Sequence, residues 1–120
     1  MKAVLLISHG SLSAQTKKEV KSLVKVLKKK SKIPVFEYAF LEIESPSIPE
    51  GIDRLVQKGA KEILLLLNFL NSGRHVDLDI PRIVREAQKK YPETKIKVSG
   101  PVGQHPGMVD VFLGMVLFFE

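Results

Sequence analysis

Ala3-Val4-Leu5-Leu6-Ile7, running straight into Ser8-His9-Gly10-Ser11, decides how the rest of the chain is read. A strand covered on one face alternates apolar and polar residues, whereas one covered on both faces has no reason to. This unbroken apolar run therefore predicts an interior strand of a parallel sheet with helices on both faces. Glu62-Ile63-Leu64-Leu65-Leu66-Leu67 has the same character and predicts a second central strand.

Between these runs the period changes. Val20, Leu23, Val24 and Leu27 recur at helical spacing, with Lys17, Lys18, Lys21, Lys25, Lys28 and Lys29 on the opposite side. This is an amphipathic helix of about four turns. Ile33–Leu41, carrying Val35, Phe36, Tyr38 and Phe40, reads as another strand. Ser47 with Glu50 three residues on is a capping box, and Pro49 stands in the first turn of the helix it opens. Ile48, Ile52, Leu55 and Val56 face its core side, and Gly59 closes it.

Asn68–Asp77 reads as a polar loop, with Asp79 as the expected N-cap of a helix that holds Pro81, Ile83, Val84 and Ala87. Tyr91-Pro92 stops that helix, and Lys95–Val98 is a short fourth strand. Residues 100–107 are turn-rich, and Met108–Phe119 is a final helix, apolar on nearly all sides. Strand and helix thus alternate four times. That order argues for a single domain over residues 1–120: a four-stranded parallel sheet with right-handed crossovers and helices on both faces. Ligands of such sheets bind beyond the carboxyl ends of the strands.

The 120 residues include no cysteine, which excludes disulfides, iron–sulfur clusters, thiolate zinc sites and a cysteine nucleophile. A net charge of +6 favours anionic ligands. Aromatics are 7% with no Trp, so base stacking is poorly supplied and nucleic acid is not the expected partner. The first apolar run is too short for a signal peptide, and no segment is long enough to span a membrane, so a cytoplasmic protein is expected.

All three histidines, His9, His75 and His105, fall in loops after strands. Imidazole suits cobalt, nickel, zinc and iron, and two imidazoles with a carboxylate leave positions open on a metal. Glu42 and Glu44 both follow the second strand, and spacing does not choose between them. Gly-x-Gly-x-x-Gly, Walker and Gly-x-Ser-x-Gly patterns are absent, so neither a phosphate cradle nor a Ser8 or Ser11 nucleophile is supported. Arg74 and Arg82 stand near the strand ends, where a guanidinium fork could meet a carboxylate. His105 is read as part of a turn.

Three groups of residues, taken together, resemble a known family. These are Ser8-His9-Gly10-Ser11; Phe40-Leu41-Glu42 with Pro46-Ser47-Ile48 and Gly51-Ile52; and Phe69-Leu70, Gly73-Arg74-His75-Val76 and Asp79-Ile80-Pro81. Over about residues 3–107 the chain is similar to the CbiX family of sirohydrochlorin cobaltochelatases, in its short archaeal-type form. The tail Leu113–Glu120 matches no motif of that family.

The resemblance implies a three-layer chelatase-like (flavodoxin-like) domain. It implies ATP-independent insertion of Co²⁺ into sirohydrochlorin for anaerobic cobalamin biosynthesis, with Ni²⁺ or Fe²⁺ as alternative substrate metals and no organic cofactor. His9 and His75 match the catalytic histidines. With Glu42 they match the metal site, which breaks the tie with Glu44. Ser11, Gly73, Arg74 and Val76 fall where the tetrapyrrole would bind. The short form also implies a homodimer, and the apolar final helix fits one. A non-catalytic carrier of cobalt, nickel or a tetrapyrrole is the alternative from a different class.

Overall fold

The computed structural model describes residues 1–120, with every side chain except that of His75. The strands are β1 (Lys2–Ser8), β2 (Val35–Phe40), β3 (Glu62–Leu67) and β4 (Lys95–Val98). They form one parallel sheet in the order β2-β1-β3-β4. The two most apolar strands are therefore the inner pair, and every residue of β1 from Ala3 to Ser8 is buried. β4, which alternates Lys95 and Lys97 with Ile96 and Val98, takes an edge, where charged side chains discourage further pairing.

Helix α1 (Ala14–Lys30) covers one face through Val20 and Val24, which pack with Val4, Leu6, Phe36 and Phe40. Helices α2 (Ile48–Gln57) and α3 (Ile80–Lys90) cover the other, where Ile48, Ile52, Leu55 and Ile80 meet Ala3, Leu5, Ile7, Ala39, Ile63 and Leu65. Alternate residues of β1 thus serve opposite cores. The three expected layers are present.

The ends of α2 are closed by local chemistry. The Ser47 hydroxyl accepts from the Glu50 N–H, and the Glu50 carboxylate accepts from the Ser47 N–H. The Ser47 N–H bond to the carboxylate, with the Ser47 hydroxyl beside it, holds the Glu50 pKa below its ordinary value. At the other end Ala60 N–H reaches the Leu55 carbonyl and Gly59 N–H the Val56 carbonyl, a Schellman closure with Gly59 at φ +99°. The Tyr91 hydroxyl and the Lys90 ammonium both donate to Asp53, tying the end of α3 to α2.

Two expectations are corrected. Helical structure begins at Arg74, through a wide π-type turn at His75–Asp79, so residues 74–77 are not loop. Asp79 is consequently no N-cap: it lies within continuous helical backbone at φ −71° and ψ −44° and makes no side-chain capping bond. Its carboxylate lies 3.9 Å from Arg82 instead.

Helix α4 (Gly107–Val116) has no buried residue, and its principal contact is the short turn Val102–Gln104 before it. Beside that turn a groove of about 530 Å³, lined by Leu23, Leu27, Leu66, Pro101 and Val102 among others, runs along the α1 face. No helix among the described residues is long and apolar enough to cross a membrane.

Candidate functional site

β1 and β2 end side by side, and their following loops are joined by backbone. Leu41 N–H donates to the Ser8 carbonyl at 2.9 Å and Glu42 N–H to the His9 carbonyl at 3.1 Å. Gly10 makes this possible: its φ is +104°, and a Cβ there would lie 1.9 Å from the Glu42 carbonyl oxygen. No other residue type fits so close an approach at that φ.

The consequence is a His9 Nε2–Glu42 Oε1 contact of 2.7 Å, with both side chains about half exposed at the carboxyl rim of the sheet. The His9 ring also meets Phe69, from the loop after β3, edge to face at 6.4 Å between centroids. Beneath it Ser8 is buried, its hydroxyl accepting from Asn68 at 3.1 Å, a structural link between the first and third strand ends.

Glu42 and Glu44 do not share one direction, because the strand does not continue. Ile43 has φ +71°, and Glu44 N–H donates back to the Glu42 carbonyl at 2.8 Å, making a tight three-residue turn. A β-branched residue in that region is strained by about 1–3 kcal/mol. The turn sends Glu42 to His9, while Glu44 Oε1 accepts from the Ser11 N–H at 2.9 Å. No periodicity argument could have found the role of Glu44. The Ser11 hydroxyl accepts from the Ser13 N–H.

On the third strand's side, Gly73 accepts from Asp77 N–H through its carbonyl, Arg74 is exposed, and Val76 packs in part against the α2–α3 core. The side chain of His75 lies outside the described residues. Arg82 is turned to Asp79 and Glu86, at 3.9 Å each. His105 serves its turn as expected, with Nδ1 accepting from Gly107 N–H at 2.9 Å.

An imidazole nitrogen and a carboxylate oxygen that bind one divalent ion at roughly 2.0–2.2 Å and near right angles stand roughly 3 Å apart. The 2.7 Å separation of His9 and Glu42 needs only a small opening to reach that bite. Among the described residues no cluster of three or more His, Cys, Asp or Glu surrounds the pair.

Comparison with known proteins identifies the family. A model of the CbiX family matches residues 3–116, which takes the similarity into α4. The chain is 32% identical over 108 residues to the chloroplastic sirohydrochlorin ferrochelatase of Arabidopsis thaliana, covering 90% of this chain and 48% of that protein. It is 32% identical over 111 residues to the sirohydrochlorin cobaltochelatase of Sulfolobus acidocaldarius, covering 92% and 86%. Among solved structures, the sirohydrochlorin chelatase SirB of Bacillus subtilis subspecies spizizenii, in complex with cobalt, superposes with a TM-score of 0.88 at 27% identity. That match covers 98% of this chain and 50% of SirB. The chain spans about half the length of several relatives it matches. With a family model matched over residues 3–116 and a relative 32% identical that is covered over 86% of its length, the chain belongs to the CbiX family.

Proposed function

We propose that the protein inserts a divalent metal into sirohydrochlorin without a nucleotide, with Co²⁺ as the metal, in the cytoplasm. The carrying observation is the 2.7 Å His9–Glu42 pair at the strand ends of a CbiX chain. His9 and Glu42 bind the ion, together with His75, in a site weak enough to release it. As the metal passes into the macrocycle two pyrrole protons must leave. An imidazole and an adjacent carboxylate are competent acceptors. Ser11, Gly73, Arg74 and Val76 border the tetrapyrrole. The Glu44 carboxylate occupies the Ser11 N–H, so Ser11 acts through its hydroxyl hydrogen.

Cobalt is supported by the Sulfolobus relative, of which this chain covers 86%. Iron is the second reading, because the Arabidopsis relative named for iron is equally similar at 32%. The working unit is a homodimer. A single chain gives one wall of a cleft, and α4 exposes Val109, Phe112, Leu113 and Met115, each more than half accessible. A second copy, related by a two-fold axis, is the occupant assigned to that apolar surface.

The test mixes protein, sirohydrochlorin and Co²⁺ or Fe²⁺ and follows the absorption spectrum. Insertion faster than the spontaneous rate, greater with Co²⁺, is expected. His9→Ala loses about a hundredfold or more of that rate, Glu42→Gln at least about tenfold, and His105→Ala keeps it. No acceleration by the wild type overturns the activity, and full activity of His9→Ala overturns the site.

A further inference from the structure

One concave, cationic region adjoins the His9–Glu42 pair, and its lysines have no part in the chemistry above. It is a hollow of about 490 Å³ between the start of α1 and the loop after β2, lined by Ser11, Lys17, Lys18, Lys21, Ile43 and Glu44, among others. Ser11 lies two residues beyond His9, and Ile43 and Glu44 directly follow Glu42, so the two loops that carry the pair continue into the wall of the hollow.

Its charges are not spent on the protein itself. Lys17 is engaged: its ammonium donates to the Ser45 carbonyl at 2.8 Å and lies 5.8 Å from the centroid of the Phe40 ring. Lys18 and Lys21, one turn apart on the same side of the helix, have no carboxylate within ion-pair distance among the described residues. The first turn of α1 has no acidic residue to offset them. The one carboxylate in the hollow, that of Glu44, accepts from the Ser11 N–H at 2.9 Å. Three ammonium groups against one carboxylate leave the hollow with net positive charge.

We propose that Lys18 and Lys21, with Lys17 behind them, form a carboxylate cradle that takes acidic groups on the rim of the tetrapyrrole and sets its centre over His9 and Glu42. This rests on sirohydrochlorin being the substrate. A macrocycle receives its metal at the centre and carries its carboxylates at the edge. When the centre stands over the metal pair, edge groups reach past it to the next surface outward, and on the β2 side that surface is this hollow. Lysine suits the task because its ammonium binds as a mobile point charge and tolerates more than one carboxylate position.

The test compares Lys18→Ala/Lys21→Ala with Lys28→Ala/Lys29→Ala, which removes the same charge from the far end of the same helix. Initial rates of Co²⁺ insertion are measured against sirohydrochlorin concentration, and Co²⁺ binding without tetrapyrrole is measured by calorimetry. The first variant is expected to raise KM roughly fivefold, as for two partly exposed charge pairs, with kcat and Co²⁺ affinity unchanged. The rise shrinks at high ionic strength, and Lys18→Arg/Lys21→Arg restores the wild-type KM. The second variant leaves KM near wild type. An unchanged KM in the first variant, or an equal rise in both, overturns the cradle while leaving the chelatase reading intact. A wild type that inserts no metal overturns the chelatase reading, and the cradle with it.

Discussion

The two faces of the sheet are finished to different degrees. The core that the sheet shares with α2 and α3 has twelve buried apolar residues, and both ends of α2 are closed by hydrogen bonds. The core it shares with α1 has six, with Leu64 and Leu66 only partly covered and a groove beside Leu66. The strands are the same, and their residues alternate between the faces. The difference comes from helix supply: two helices close one side, one helix serves the other, and α4 stands clear of both. The closed face is completed within one chain, whereas the open one lies beside an apolar helix that packs on neither core.

The largest effect should come from α4. Leu113→Glu with Val116→Glu places charge on one side of that helix, and light scattering should show the mass fall from dimer to monomer with the circular dichroism spectrum retained. A wild type that is already monomeric at micromolar concentration would break the comparison outright. Next come the two cores. Ile52→Ala on the closed face should cost about 2–5 kcal/mol in urea unfolding. Leu66→Ala on the open face should cost about half that or less. Equal costs would mean that the groove is filled in solution, which would sharpen the dimer instead.

The smallest effect concerns the link between α2 and α3. Donation to Asp53 raises the Tyr91 pKa, with burial adding to the shift. A raised pKa favours the neutral hydroxyl in the fold. Its stabilisation is therefore present below the ordinary phenol range and is lost as pH rises through the raised value. Tyr91→Phe should lower the thermal midpoint slightly at neutral pH, and the gap should close under strongly alkaline conditions. A gap that widened there would refute the assignment.

Much of this was legible in the sequence. Unbroken apolar runs marked β1 and β3 as the inner strands, and the capping box at Ser47 and Glu50 was found where spacing placed it. His9 and Glu42 were named from motif resemblance, and the structure brings them together. Other features depended on forces that periodicity does not record. Asp79 looked like a cap because its residue type favours one, but the helical backbone had already begun at Arg74. Glu42 and Glu44 were inseparable by alternation, because alternation assumes an extended chain and Ile43 does not supply one. The apolar content of α4 was plain, yet composition reports that a surface needs covering and not what covers it.

The zipper between the β1 and β2 loops bears on how this family can vary. The separation of His9 and Glu42 is set by backbone bonds, Leu41 to Ser8 and Glu42 to His9, and by the bare Cα of Gly10 against a carbonyl. Side-chain packing in either core enters that distance only indirectly. A substitution in the layers below can then alter stability while the backbones of the two loops keep their spacing. One glycine and two backbone bonds hold the two loops together independently of the layers beneath them.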